Sequence, residues 1–303
     1  MKSLSGRELA LSLAAQRKNH AIIIEGERGC GKRTLARKMA AAMFCPHTDP
    51  VTHACCGSCT ACAKVMAGTH PDITVIDNGE KMITVDEIRK IRTDAGIRPN
   101  EADARLFIIC DGQNMNVQAQ NALLKILEEP PGYVRFIITC DNMSRMLETI
   151  ISRAVPVKIG GFSQEECLDI LKARFADKDD ATLINLSRMF EGNVGRCIEA
   201  LDPQNDRHSA ELMETAEAVY AAAGSTTGWE LLSLLSRFEK DKEGFAGMLE
   251  LLRLKCRCTG ENAAVDKRHI AMAETIDRAR RDMERNLYFP LVISAFAAKL
   301  RSC

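Results

Sequence analysis

The stretch that decides the fold is Gly26-Glu27-Arg28-Gly29-Cys30-Gly31-Lys32-Arg33-Thr34. An apolar run, Ala21-Ile22-Ile23-Ile24, precedes it, and a helical run, Leu35-Ala36-Arg37-Lys38-Met39-Ala40, follows. Strand, glycine loop and helix in that order is the context in which such a pattern reads as a phosphate-binding loop rather than a glycine turn capping a helix. Gly26, Gly29 and Gly31 let the backbone curl so that its N–H groups face an anion, and Lys32 adds charge near the outer phosphates. The next position ordinarily supplies the Ser or Thr hydroxyl that helps hold magnesium. Here it is Arg33, and Thr34 comes one place late. One residue turns a helix by about 100°, so Thr34 is expected to point elsewhere. The loop reads as a phosphate site whose metal ligand has been lost.

A second defect falls on the same chemistry. Arg105-Leu106-Phe107-Ile108-Ile109-Cys110-Asp111 reads as a buried strand ending in polar residues. There a phosphate-loop enzyme places an Asp for magnesium, often with a Glu that activates water. Two registers are open. With Cys110 in the Asp position the metal carboxylate is missing and Asp111 stands for the Glu; with Asp111 as the ligand, Gly112 replaces the Glu. Met115 and the helix from Ala119 to Glu129 favour the first. Either register lacks one carboxylate. Tyr133 to Cys140 is the next strand, and Thr139 at its end is a candidate phosphate sensor or a strand-end cap. Glu128 and Glu129 diverge by about 100° on a helix, which argues against an acid–base pair. Pro130 and Pro131 stop that helix.

Between the loop helix and the second strand lies a dense group of cysteines. Cys56, Cys59 and Cys62 form two C-x-x-C spacings in series, with Cys45 earlier, at a helix end where the chain must fold back. Four thiolates gathered by tight turns suit tetrahedral zinc. Cys45 is the leading fourth ligand; Cys55 competes, and His47 and His53 less so. An iron–sulfur cluster would need a further cysteine at a spacing that is not there. An all-thiolate shell leaves no open position, so the metal would be structural.

The remaining composition sets bounds. At 303 residues, two or three domains are expected. Lys plus Arg and Asp plus Glu both total 41, and non-specific nucleic-acid binding needs a positive field, so any DNA contact is expected to be local or shared with other subunits. No apolar run approaches a membrane span, and the amphipathic N-terminal pattern lacks a signal-peptide core. A cytoplasmic location is expected, with the 13 cysteines mostly reduced. Residues 1–20 read as a helix whose buried side comes from Leu4, Leu9, Leu11 and Leu13. Thr84 with Glu87, and Ser163 with Glu166, form capping boxes that open helices. Gly160-Gly161 marks a hinge, followed by three helices ending near Leu201. After a linker at Pro203-Gln204-Asn205-Asp206, five helices are expected at about 210–223, 229–239, 244–257, 263–285 and 290–301.

These residues, taken in order, resemble the bacterial replicative clamp-loader subunits of the AAA+ family. The resemblance covers most of the chain. It rests on His20-Ala21 before the phosphate loop, the cysteine insert ending in His70-Pro71-Asp72, and Asn121-Ala122-Leu123-Leu124-Lys125 running into Leu127-Glu128-Glu129-Pro130-Pro131. Thr149-Ile150-Ile151-Ser152-Arg153 is similar to the family's Ser-Arg-Cys motif, with Ala154 where Cys is usual, and Gly192-Asn193-Val194-Gly195-Arg196 is similar to the start of its sensor-2 helix. The family implies an α/β AAA+ core with an inserted zinc module (1–160, thiols within 45–62), a three-helix lid (161–205) and an all-α collar (206–303) that assembles a five-subunit ring.

The resemblance implies that Arg153 acts in trans as an arginine finger at a neighbour's ATP site and that Arg196 is the sensor-2 arginine. Partners would be delta and gamma/tau subunits in a hetero-oligomer, with the sliding clamp and primed DNA reached through the complex. The motor type, gamma/tau, needs the Thr and Asp that Arg33 and Cys110 displace. The delta-prime type commonly carries a degraded site, so the sequence reads as a non-hydrolysing subunit, with the motor type as the alternative. Lys32 and the loop amides leave nucleotide binding without turnover open, and Arg33 is able to occupy part of the cation's space.

Overall fold

Near-continuous apolar runs such as Ala21-Ile22-Ile23-Ile24 and Leu106-Phe107-Ile108-Ile109 suit strands covered on both faces. In the computed structural model they are β1 (Ala21–Glu25), β2 (Ile73–Ile76), β3 (Arg105–Ile109), β4 (Val134–Cys140) and β5 (Val155–Lys158). All pair in parallel, in the order β2-β3-β4-β1-β5. The structure describes residues 5–79, 81–201, 206–223, 228–258, 267–284 and 287–301.

Alternation along the strands divides the core in two. Ile22, Ile24, Leu106, Ile108, Ile137 and Val157 face one side, packing on α1 (Gly6–Gln16), α2 (Lys32–Phe44) and α3 (Thr60–Ala67). Ile23, Phe107, Ile109, Phe136 and Ile138 face the other, against α4 (Val85–Ala95), α5 (Val117–Glu128) and α6 (Glu148–Ile151). The result is a three-layer α/β core, a parallel sheet covered by helices on both faces. The sheet register aligns Glu25 with Cys140 and Ile109 with Ile138. The loops after β2, β3, β4 and β1 therefore leave from one edge. In open parallel sheets the crevice outside the strands' carboxyl ends, where strand order reverses, is the usual ligand position.

Local sequence explains the helix ends. The Thr84/Glu87 and Ser163/Glu166 capping boxes are both formed. The buried side of α1 is corrected in part, since Leu11 and Leu13 pack against the core shared with α2 as expected while Leu9 does not. Ala10 and Ala14 are buried, Leu11 and Leu13 are half-buried and Leu9 is 39% exposed; Leu4 lies outside the described residues. Small side chains on α1 meet Ala36 and Ala40 of α2 in the same core cluster, a close approach that leucines at those positions would prevent.

By contacts the chain divides into two compact units, residues 1–162 with 193–195, and residues 163–192 with 196–303. The second is helical: α7 (Gln164–Arg174), α8 (Asp180–Met189), α9 (Val194–Leu201) from Arg196 onward, α10 (Asp206–Ala222), α11 (Gly228–Ser236), α12 (Lys242–Cys258), α13 (Lys267–Glu284) and α14 (Phe289–Leu300). Its core centres on Phe245, which meets Phe289 and Phe296 edge-on. The expected lid and collar helices fall in this one unit, because Met189 and Phe190 pack on the core that Phe245 organises. Most of the expected linker, 203–205, and the first residues of the expected 263–285 helix lie outside the described residues.

One buried carboxylate ties down the first unit. Asp72 is fully buried and accepts N–H bonds from Asn100 (2.5 Å), Glu101 (2.8 Å) and Ala102 (2.9 Å). His70 stacks on Phe44, and its Nδ1 accepts the Asp72 N–H at 3.2 Å. Burial alone would raise the Asp72 pKa; the three donors outweigh it and hold it below 3.8. A carboxylate with a depressed folded-state pKa contributes stability that is complete above its unfolded value and disappears as pH falls through the folded one. Asp72→Asn is expected to cost about 1–3 kcal/mol at pH 7. Urea titrations should also show a shallower loss of stability below pH 4 than in the parent, whereas parallel curves would dismiss this role.

Candidate functional site

The loop between β1 and α2 is built on glycine. A Cβ at Gly26 would lie 2.8 Å from both the Cys30 Sγ and the Ile159 carbonyl oxygen. Gly31, the N-cap of α2, has φ of 86° and offers no side-chain cap. Lys32 and Arg33 are therefore the first residues of a helix with no acidic residue in its first turn, at the end where the macrodipole disfavours cations. Both find anions.

The Lys32 ammonium is buried. It donates to the carbonyls of Gly26 (2.7 Å) and Glu27 (3.0 Å) and to Asp141 Oδ1 (2.6 Å). An ammonium has three hydrogens, and these three acceptors match them. Arg33 Nη2 reaches Asp111 Oδ2 at 2.6 Å and Asp77 Oδ1 at 2.9 Å. Thr34 is exposed. Asp111 takes the left-handed conformation, φ 55°, and its N–H donates to the buried Thr139 hydroxyl at 3.0 Å. Cys110 is buried in the core, which pushes its thiol up to about 11; it offers no oxygen. Asp77, Asp111 and Asp141 follow β2, β3 and β4 at the same sheet edge. Sequence reading weighed only Asp111 of these. The signal for the other two was an acid directly after each strand.

The backbone of the loop is also engaged. Arg7 donates to the carbonyls of Cys30 (2.6 Å) and Gly160 (2.8 Å) while its guanidinium lies 3.7 Å over the Phe162 ring. Asn193 Nδ2 donates to the Arg28 carbonyl at 2.8 Å, and the Gly195 N–H to that of Gly29 at 2.9 Å. Arg7 was not foreseen. Arg196 belongs to the helical unit, where it pairs with Glu250 at 2.7 Å. Arg153 follows α6, with Nη2 3.0 Å from Glu128 Oε1 at the end of α5 and Nη1 donating to the Thr149 carbonyl at 2.9 Å.

The thiols form a second site. Sγ atoms of Cys45, Cys56, Cys59 and Cys62 all lie within 4.8 Å of one another, and Cys55 is not among them. Cys56–Cys62 and Cys45–Cys59 are each 4.0 Å apart, close to the about 3.8 Å that a tetrahedron with 2.3 Å zinc–sulfur bonds requires. Backbone N–H groups of His47 and Cys56 point at Cys45 Sγ (3.3 and 3.4 Å), and that of Cys62 at Cys59 Sγ (3.4 Å). Donors from Ser58 and Cys59 bring the Cys56 thiol down to about 5. Such a set could hold a thiophilic divalent ion, with every position filled by protein. Metal analysis of the purified chain should return about one zinc per molecule. Cys45→Ser should lose it and Cys55→Ser keep it; the reverse pattern would exclude Cys45 as a ligand.

Comparison with known proteins places the chain. A "DNA polymerase III subunit delta'" from Pseudomonas aeruginosa is 38% identical over 138 residues, covering 45% of this chain and 42% of that one. A "DNA polymerase III subunit gamma" from Buchnera aphidicola is 29% identical over 194 residues, covering 63% and 53%. The chain thus spans about half the length of these curated relatives. A solved structure from Thermotoga maritima, a DNA polymerase III gamma subunit-related protein, aligns over 98% of this chain and 99% of that one, with 21% identity and a TM-score of 0.49. The family model described as "DNA polymerase III, delta subunit" matches residues 3–163. That match spans more than half of the 303 residues, and the chain belongs to this family.

Proposed function

We propose that the chain is a delta-prime-type stator of a replicative clamp loader, which does not hydrolyse ATP itself and completes the ATP site of a neighbouring motor subunit with Arg153. The observation that carries the first half is Arg33, whose guanidinium lies between Asp77 and Asp111 beside the phosphate loop. A site that turns over ATP needs a hydroxyl and a carboxylate free to hold magnesium there. In this chain the hydroxyl of Thr34 is exposed on α2, and both carboxylates are engaged by an arginine.

The second half rests on the likeness of Thr149-Ile150-Ile151-Ser152-Arg153 to the finger motif. A guanidinium supplied in trans offsets charge developing on the transferred phosphoryl group, an effect of about 10³–10⁵ in rate. Arg153 is 35% exposed and held by one ion pair and hydrogen bonds to the Thr149 carbonyl and the Ser152 hydroxyl, an arrangement that lets a neighbour's phosphate compete for it, since exposed pairs contribute only about 0–1 kcal/mol. The helices after residue 205 would form the collar that joins the ring. The four thiols would hold zinc as a structural brace. Partners would be delta and gamma/tau subunits, with clamp and primed DNA reached through the assembly.

A gamma/tau-type motor is the alternative, favoured by the longer alignment with the gamma relative. The Arg33 ion pairs weigh against it. In a loader reconstituted with the partner subunits, Arg153→Ala is expected to lower clamp- and DNA-stimulated ATPase by the full share of the adjoining site, with Arg153→Lys recovering little. Unchanged turnover would remove the finger role, and ATP hydrolysis that is lost on Lys32→Ala in this chain would favour the motor.

A further inference from the structure

We infer that Arg33 is a tethered cation that holds Asp77 and Asp111 together in place of a divalent metal ion, so that this edge of the sheet keeps its shape without one. The electrostatics of this edge do not depend on the clamp-loader reading. Asp77 ends the β2 segment, Asp111 the β3 segment, and one Arg33 nitrogen bonds both, at 2.9 and 2.6 Å. Two carboxylates drawn to one point repel each other unless a cation lies between them. Asp111 reaches that point through a left-handed backbone, with its N–H fixed on Thr139, so its carboxylate has little freedom to withdraw. Its side chain is 18% exposed, which reduces screening by water.

The neighbouring charges close the account. Lys32 is matched to Asp141 and two carbonyls, so it does not serve Asp77 or Asp111. Among the described residues, Arg33 is the only lysine or arginine within ion-pair distance of Asp77 or Asp111. Replacing it by a small neutral residue leaves two convergent carboxylates and space between them, which is what a hard divalent ion takes up. The inference is that the wild-type chain binds no such ion here and that the variant does.

The test uses the full-length, zinc-loaded chain with manganese as the spectroscopic probe and magnesium in thermal unfolding. Arg33, 49% exposed, makes two partly screened ion pairs, and Arg33→Ala is expected to lower the Tm by about 1–4 °C. Millimolar magnesium should restore more than half of the loss, while moving the wild type by less than about 1 °C. Electron paramagnetic resonance should count one more bound manganese in Arg33→Ala than in the wild type, and that ion should vanish in Arg33→Ala/Asp77→Asn. Arg33→Lys, whose single ammonium keeps the charge but not the fork, provides a folded fallback with a smaller Tm loss and no added manganese. Equal manganese binding in wild type and Arg33→Ala, or a Tm loss that magnesium leaves untouched, would overturn the inference.

Discussion

Two cations stand side by side at the first turn of α2, where the helix already presents its positive end. Their neutralisation organises the sheet edge around them. Asp141 after β4 answers Lys32, and Asp77 after β2 with Asp111 after β3 answer Arg33. Since each acid follows a different strand, the order β2-β3-β4-β1 is what brings them together. The left-handed turn at Asp111 and the Thr139 hydroxyl that fixes it make sense as devices for aiming one of these carboxylates. The outcome is a glycine loop whose two neighbouring cations answer to the protein's own acids.

The same helix links that edge to the thiol group. Its N-terminus carries the loop, and its C-cap, Cys45, carries one of the four sulfurs. Thirteen residues of helix separate the two by about 20 Å, so a metal at the thiols would act on chemistry at the loop only by holding α2 in place. Phe44, next to Cys45, stacks on His70, and the following Asp72 binds the 100–102 loop ahead of β3. The insert is thereby joined to the sheet through a short chain of buried contacts rather than hung from it.

Local patterns were legible in the sequence, and long-range pairings were not. The apolar runs at 21–24, 105–111 and 133–140 marked β1, β3 and β4, and capping boxes marked the starts of α4 and α7. The position of Cys45 at a helix end singled it out over Cys55, and the sulfur positions agree. Asp77 and Asp141 escaped notice because each is a lone acid after a strand, and their partners lie far away in the chain. Lys32 and Asp141 are 109 positions apart, and Arg7 and Gly160 are 153 apart. Leu9 on α1 misled for a related reason. Side-chain size suggested a buried face, while the close approach to α2 selects alanine.

The division of labour between this chain and a motor neighbour is most exposed to a single experiment on the isolated chain. Incubated with magnesium and ATP, it should release phosphate no faster than a sample lacking protein, at any ATP concentration and with or without primed DNA. Sustained release that tracks the protein through purification would show that the loop still drives turnover despite the arginine on its acids, and would contradict the account.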